Sequence, residues 1–177
     1  MNRTRTEIRI AGTGGMGVVL AGVILGHAAA VYADLETIQS QSYGSEARGT
    51  AARSEVIISD GPIHFPKVRR SDYLIAMSQK ALDIYLPSAK NGSVVIFDPD
   101  LVDASKIEGY DIVPIPAMKT ADEMGMRLVS NMVMLGALLQ KSELFPLEFL
   151  EKALSDLVNV KALHLDIDAA RAGAELV

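Results

Sequence analysis

Cysteine is absent from the 177 residues of this chain. Without a thiolate, the chain has neither the usual soft metal ligand nor a thiol nucleophile. This absence excludes a disulfide framework, a thiolate zinc site, an iron–sulfur cluster held by this chain and a catalytic cysteine.

Long apolar runs are also lacking. The longest apolar stretch, residues 18–33, is interrupted by Gly22, Gly26 and His27 and is too short to span a bilayer. The two arginines near the N-terminus are not followed by an apolar region and a cleavage site, so no secretory signal is predicted. We therefore expect a cytoplasmic protein that does not bind membranes.

Positive charge is scarce, and the formal net charge is -5. Lysines and arginines form no run beyond residues 67–70, which argues against nucleic acid as a primary partner. Hydrophobic residues, in contrast, make up 49% of the chain. Apolar content without a membrane span indicates a fully covered parallel sheet or a surface buried against partner chains.

Strand-like apolar runs alternate with helical patterns along the sequence. Strands are predicted at residues 7–11, 35–39, 52–59, 73–77, 93–97 and 111–115, and helices at residues 17–33, 79–85, 121–140, 146–157 and 166–176. This alternation favours an α/β fold, with a mainly parallel sheet and helices on both faces in a Rossmann-like three-layer arrangement. The length suits one domain covering residues 1–177.

Short patterns predict where helices and turns begin. Ser78 is a good N-cap for the helix after it. Thr120 and Glu123 have the spacing of a capping box for the long helix 121–140. Asn91 and Gly92 predict a turn before the fifth strand.

A glycine-rich turn follows the first predicted strand and opens the first predicted helix. Gly12, Gly14 and Gly17 fit the pattern G-x-G-x-x-G, and Gly15 adds a further glycine. Glycines allow a tight turn and a close backbone approach, and the helix N-terminus offers free N–H groups to an anion. We interpret the turn as a candidate binding element.

A nicotinamide dinucleotide would also need an acidic residue at the end of the second strand. That strand ends in Ile38-Gln39-Ser40, and Asp34 and Glu36 come too early in the chain. Two other interpretations stay open. The turn packs a helix tightly on the sheet, or it faces a partner or a different phosphate ligand.

A second loop follows the second strand and reads QSYGSEARGT over residues 41–50. Polar and aromatic groups on a loop between buried strands are often binding residues, and Arg with Tyr is typical of interface anchors. Arg also recognises phosphate or carboxylate through two parallel hydrogen bonds. The candidate binding residues of this loop are Ser42, Tyr43, Gly44, Glu46, Arg48 and Gly49.

No catalytic or metal-binding set is predicted. The three histidines are scattered without ligand spacing, and Asp98, Asp100 and Asp103 are interpreted as capping or loop residues. There is no G-x-S-x-G elbow and no P-loop lysine. We therefore expect a subunit whose chemistry lies on other chains.

The turn GTGGMG, the apolar helix after it and the loop QSYGSEARGT resemble the gamma subunit or gamma domain of 2-oxoacid:ferredoxin oxidoreductases. Segments 57–66, 72–77 and 131–137 are similar to that family in the same order. The form Tyr-Gly-x-Glu-Ala-Arg-Gly looks most like the 2-oxoglutarate branch, and the pyruvate and branched-chain branches stay open. Met16 and Thr50 stand where the family usually has Gln and Gly.

The resemblance implies a multi-subunit enzyme that decarboxylates a 2-oxoacid, forms acyl-CoA and reduces ferredoxin. In that family thiamine diphosphate, Mg and iron–sulfur clusters belong to the alpha, beta and ferredoxin-like delta subunits. The gamma subunit is expected to hold no cofactor, to support assembly and to line the side where coenzyme A reacts, and a homodimer of this subunit stays open. The alternatives are a free-standing nucleotide-binding Rossmann-type oxidoreductase and a scaffold module without a ligand.

Overall fold

A computed structural model describes residues 4–43, 51–105 and 107–177. Within these residues the strands are β1 Arg5–Gly12, β2 Glu36–Ser42, β3 Ala52–Ser59, β4 Ser71–Ala76, β5 Ala89–Phe97 and β6 Asp111–Pro114. The α-helices are α1 Val18–His27, α2 Gln79–Tyr85, α3 Ala117–Glu123, α4 Ser130–Ser142, α5 Leu147–Leu157 and α6 Val160–Glu175.

The strands form one mixed sheet in the order β2-β3-β1-β4-β5-β6. The pairs β1–β4, β4–β5 and β5–β6 are parallel, whereas β3 is antiparallel to both of its neighbours, β1 and β2. All strands except β3 therefore point the same way. The predicted α/β fold with a mainly parallel sheet is confirmed.

The two faces of the sheet carry unequal layers. Ile8 and Ile10 of β1 point into the larger core, which α1, α3, α4, α5 and α6 cover. Ala11 points into a smaller core under α2. The alternation along β1 follows the period-two direction of strand side chains. Helices thus lie on both faces, with most of them on one.

Helix α1 approaches the sheet closely at Gly22. A Cβ atom at Gly22 would lie 1.8 Å from Ser54 Oγ on β3, whereas at Gly26 the nearest side-chain atoms are 3.5 Å away. The absence of a side chain at Gly22 therefore allows this helix to lie close to the sheet. The helix continues beyond His27 as a π-helical turn, Ala28–Tyr32.

Helices α4 and α6 cross at two glycines. A Cβ atom on Gly136 would lie 1.8 Å from the backbone oxygen of Ala170, and one on Gly173 would lie 1.8 Å from the backbone oxygen of Val133. Each helix therefore presents a glycine to the backbone of the other. The crossing lies within the larger core, where Val133 and Ala170 are fully buried.

The prediction of one helix over residues 121–140 is wrong, because the helix is interrupted there. Helix α3 ends before Gly125, whose φ is 85°, and a 3-10 turn, Arg127–Val129, precedes α4. A glycine with positive φ terminates a helix. The predicted capping box is wrong too, because Thr120 lies inside α3 and its hydroxyl donates to the backbone oxygen of Pro116 at 2.9 Å.

Other boundaries also differ from prediction. Strand β2 ends at Ser42 rather than at residue 39, so Ser42, predicted as a loop residue, lies in the strand. Asn91 and Gly92 lie inside β5, where Gly92 has a φ of 75° and the pairing with β4 shifts register, so they form an irregularity within the strand. Helix α6 begins at Val160, with Asn159 accepting a hydrogen bond from Lys161 N, earlier than the predicted start at residue 166. In contrast, Ser78 caps α2 as predicted.

Charged side chains are buried on the α2 face of the sheet. Arg9 of β1 is 5% exposed and its Nε donates to Glu55 Oε1 of β3 at 2.8 Å. Glu7 accepts hydrogen bonds from the backbone N–H groups of Arg69 and Arg70 at 2.9 and 3.3 Å. The two bonds to Glu7 hold the segment 61–70 against the part of the sheet that α2 does not cover.

The contact between α1 and α5 gives a prediction about pH. Tyr32 donates to Asp156 Oδ2 at 2.6 Å and His27 Nε2 lies 2.9 Å from the same oxygen. The Tyr32 hydrogen bond, followed by the His27 bond, lowers the pKa of Asp156. A lowered pKa means that the unfolded state binds more protons, so this stabilisation is present above the ordinary carboxyl pKa and is lost as pH falls through the lowered value.

We therefore expect acidification below about pH 5 to lower the melting temperature of the wild type more than that of Asp156→Asn, which lacks the carboxylate. Tyr32→Phe should fall between them, because it removes the larger cause of the pKa shift. The measurement is melting temperature against pH for the three proteins. Parallel curves would show that Asp156 does not contribute to the acid dependence.

Candidate functional site at the carboxyl edge of the sheet

The glycine turn lies where two neighbouring parallel strands are followed by helices on opposite faces of the sheet. After β1 the chain enters α1 on one face, and after β4 it enters α2 on the other. Met77 N, just beyond β4, donates to Ala11 O of β1 at 2.8 Å, so the two strand ends lie side by side. Ligands of open α/β sheets bind in the crevice at such a switch point.

The four glycines of the turn have different surroundings. A Cβ atom on Gly12 would lie 3.0 to 3.2 Å from Met16, Met77 and Val18 side chains, so this position is tight. Gly14 and Gly15 are exposed, with nothing within 4 Å of an added Cβ. Gly15 and Gly17 have φ values of 88° and 69°, which favour glycine. The open middle of the turn leaves its backbone accessible to a ligand or a partner.

Asn131 holds the turn from the start of α4. Its Nδ2 donates to Gly17 O at 3.1 Å, its Oδ1 accepts from Met132 N at 2.9 Å, and the side chain is buried. An added Cβ on Gly17 would lie 2.4 Å from this Nδ2. Gly17 is therefore constrained by both its φ and this contact. No sequence pattern predicted this role of Asn131, because 114 positions separate it from Gly17 and leave no spacing signal.

The N-terminus of α1 is suited to an anion. Among the described residues no side chain caps it, and its first turn contains no acidic residue. The first N–H groups of a helix lack partners within the helix, and the helix dipole places partial positive charge at this end. The geometry thus fits the anion-binding interpretation of the turn.

The end of β2 lies at the same edge of the sheet. Ser42 pairs with Arg53 of β3, and Arg53 pairs with Ala11 of β1, so Ser42 lies two strands, or about 10 Å, from the end of β1. Tyr43 follows and is 67% exposed, with its hydroxyl 3.4 Å from Gln41 Nε2. The edge of the sheet therefore brings these two residues near the glycine turn.

The remaining predicted loop residues lie outside the described part of the chain. They are Gly44, Glu46, Arg48 and Gly49, with Thr50 after them. Their assignment as binding residues stays a prediction.

The acidic residues near β2 lie at the wrong edge for a dinucleotide. Glu36 begins β2, and Asp34 precedes it. Because β2 points the same way as β1, both residues lie at the edge opposite the glycine turn, about 20 Å away along a strand of this length. A ribose beside the turn could not reach either carboxylate.

Asp98 has a structural role at the end of β5. It is 1% exposed, its Oδ1 accepts from Asp100 N at 3.0 Å and its Oδ2 accepts from Met118 N at 2.7 Å. It therefore joins the loop after β5 to the start of α3, as the predicted capping role requires. Within residues 4–43, 51–105 and 107–177, no three acidic or histidine side chains gather as metal ligands.

Comparison with known proteins identifies the family. Residues 7–176 match the family model of pyruvate ferredoxin/flavodoxin oxidoreductase. The chain is 44% identical to the 2-oxoglutarate synthase subunit KorC of Methanothermobacter thermautotrophicus, across 100% of this chain and 97% of that protein. It is 48% identical to KorC of Methanocaldococcus jannaschii, across 88% and 85%. None of the helices in the described residues is both long and apolar enough to span a membrane.

Solved structures agree with the sequence relatives. The gamma subunit of a keto/oxoacid ferredoxin oxidoreductase from Geobacter sulfurreducens superposes with a TM-score of 0.86 at 38% identity, covering 97% of both chains. A 2-oxoglutarate:ferredoxin oxidoreductase from Magnetococcus marinus superposes with a TM-score of 0.87 at 28% identity, covering 97% of this chain and 31% of that one. The resemblance seen in the sequence is confirmed, and the chain belongs to the pyruvate ferredoxin/flavodoxin oxidoreductase family.

Proposed function

We propose that this chain is the gamma subunit of a 2-oxoglutarate:ferredoxin oxidoreductase. The complex would convert 2-oxoglutarate and coenzyme A to succinyl-CoA and carbon dioxide, and transfer the electrons to ferredoxin. The similarity to KorC subunits carries this proposal, because it extends over nearly the full length of both proteins at 44% identity. The Magnetococcus marinus enzyme was solved with 2-oxoglutarate, coenzyme A and succinyl-CoA bound, which supports the same substrates.

The chemistry would lie on the partner subunits. The absence of cysteine leaves this chain without ligands for an iron–sulfur cluster, and its sequence contains no motif for a diphosphate with its metal. We assign thiamine diphosphate, Mg and the clusters to the alpha, beta and ferredoxin-like delta subunits. The gamma subunit, a single domain over residues 1–177, would support assembly in the cytoplasm.

The glycine turn and the loop after β2 would form the functional surface of this subunit. The uncapped start of α1 and the open backbone at Gly14 and Gly15 fit a phosphate group. Arg48 would add a planar pair of donors for phosphate or carboxylate. We infer that this edge faces coenzyme A or a neighbouring subunit.

Reconstitution tests the proposed function. The alpha, beta and delta subunits are co-expressed with and without this chain, and ferredoxin reduction is measured with 2-oxoglutarate, pyruvate and 2-oxoisovalerate as alternative substrates. We expect an assembled, active complex only with the gamma chain, and the highest kcat/KM for 2-oxoglutarate. A preference for another 2-oxoacid would overturn the substrate assignment, and full activity without the chain would overturn the subunit role.

Cofactor binding by the isolated chain separates this proposal from a free-standing nucleotide-binding enzyme. We expect NAD not to bind tightly, because the acidic residues near β2 lie at the opposite edge from the glycine turn. We expect thiamine diphosphate not to bind tightly, because the sequence has no motif for a diphosphate with its metal. Calorimetric titration of the purified chain checks this expectation. Micromolar affinity for NAD would favour the free-standing oxidoreductase.

Arg48→Ala should separate folding from function. If Arg48 is a surface loop residue, its loss should change stability by less than about 0.5 kcal/mol. If it lies at an interface centre or on a phosphate, its loss should weaken that binding by roughly 2 kcal/mol or more. Melting temperature, complex formation and the KM for coenzyme A are compared in wild type and variant.

Arg48→Lys is the matched control, because lysine keeps the charge but lacks the planar fork. We expect it to restore only part of the binding that Arg48→Ala loses. If both variants match the wild type in all three measurements, the loop is only a surface turn and the proposed surface is wrong.

A further inference from the structure

A cavity of about 520 Å³ lies on the α2 face of the sheet, where the helical layer stops. Side chains of β1, β2 and β3 form its floor, the segment 66–68 forms one wall, and Ile84 and Tyr85 at the end of α2 form another. The glycine turn and residues 42 and 43 do not contribute to the described lining. The described lining thus shares no residue with the proposed functional surface, so the inference does not rest on the proposed function.

The cavity is positively charged although the chain is acidic. Its lining contains three cations, Arg9, Arg53 and Lys67, and one carboxylate, Glu55. The local excess of positive charge contrasts with the formal net charge of -5 of the whole chain. A concave site with an excess of one sign of charge attracts ligands of the opposite sign.

The donors of the Arg9 guanidinium are already hydrogen-bonded within the protein. Its guanidinium donates to Glu55 Oε1, to the Ser88 hydroxyl and to Val68 O. It also lies over the Tyr85 ring, 5.3 Å from the centroid. Arg9 therefore builds the cavity floor and is not expected to bind a ligand directly.

Arg53, Lys67 and Ser40 carry other donors of the described lining. Arg53 Nε lies 3.4 Å from Glu55 Oε1, and its guanidinium lies 5.6 Å from the centroid of the Tyr85 ring. Among the described residues, its Nη groups, the Lys67 ammonium and the Ser40 hydroxyl have no acceptor. The ring and the carboxylate hold the Arg53 guanidinium in place, so its Nη donors are preorganised.

We propose that this cavity binds a small organic anion that carries a phosphate or carboxylate group. Arg53 would offer two parallel donors, Lys67 a point charge, and Ser40 a hydroxyl. The volume lies in the range of small-molecule pockets, and Ile84 gives the wall an apolar part for the organic portion of the ligand.

Titration of the purified full chain tests the site at low ionic strength. Pyrophosphate is the phosphate probe and citrate the carboxylate probe, each followed by calorimetry. We expect saturable binding of at least one probe, weakened about tenfold or more by Arg53→Gln and by Lys67→Gln, the factor that corresponds to 1.4 kcal/mol. Lys161→Gln, which removes an exposed lysine from α6, is the matched control and should leave the affinity unchanged.

The two variants should keep the melting temperature of the wild type, because neither side chain belongs to the apolar core. No saturable binding of either probe, or equal weakening by Lys161→Gln, would overturn the proposal. The titration is repeated on the assembled complex to identify an acidic protein partner. If assembly abolishes binding, the cavity is a subunit contact and the small-ligand assignment is wrong.

Discussion

Gly136→Ala is expected to lower the free energy of unfolding by roughly 3 kcal/mol or more. The added methyl group would lie 1.8 Å from the backbone oxygen of Ala170 in α6. A backbone atom cannot rotate away as a side chain can, so the two helices must separate and the buried core between them must open. Gly173→Ala should have a similar effect, because its methyl group meets the backbone oxygen of Val133 at the same distance.

Gly26→Ala provides the matched control within another buried helix. Its added Cβ would meet side-chain atoms only at 3.5 Å or beyond, which is ordinary contact. Because alanine favours helix over glycine by about 1 kcal/mol, this variant should be neutral or slightly more stable. Urea unfolding of the three variants measures the difference. Equal stability of Gly136→Ala and Gly26→Ala would show that α4 and α6 do not cross as closely as described.

Arg9→Met is expected to destabilise the protein by about 3–5 kcal/mol, because it leaves Glu55 buried without its main partner. Arg9 and Glu55 have side chains only 6% and 10% exposed, and their closest atoms are 2.7 Å apart. The variant also removes the donor to the Ser88 hydroxyl, just after α2, and the donor to Val68 O in the segment 61–70. Chemical unfolding at neutral pH gives the size of the effect.

The double variant Arg9→Met with Glu55→Leu tests the cause of that loss. Replacing both members of a buried ion pair by apolar groups is often neutral or stabilising, whereas removing one is costly. We expect the double variant to be more stable than Arg9→Met alone. If the two losses simply add, the buried carboxylate is not the source of the destabilisation.

Sequence patterns predicted most of the sheet, because strands and short helices depend on local information. Strand β3 and helix α2 were placed at their observed ends, residues 52–59 and 79–85. Apolar runs bounded by turn residues define such elements without knowledge of their neighbours. The glycine turn was also placed correctly, between β1 and α1.

The features that were predicted wrongly or not predicted depend on contacts between distant residues or on backbone angles. The break at Gly125 results from a positive φ that a helical apolar pattern does not reveal. The bond between Asn131 and Gly17 joins residues 114 positions apart, and the pair Arg9 and Glu55 joins residues 46 positions apart. The four candidate loop residues Gly44, Glu46, Arg48 and Gly49 remain predictions because they lie outside the described residues.

The position of β3 has a consequence for the order in which the chain folds. The first supersecondary unit, β1-α1-β2, leaves a gap of one strand between β1 and β2, because β3 occupies that place. The unit therefore has no strand–strand hydrogen bonds of its own until residues 52–59 enter the gap and pair with both neighbours at once. During synthesis, the amino-terminal third of the chain cannot complete its part of the sheet before β3 has left the ribosome.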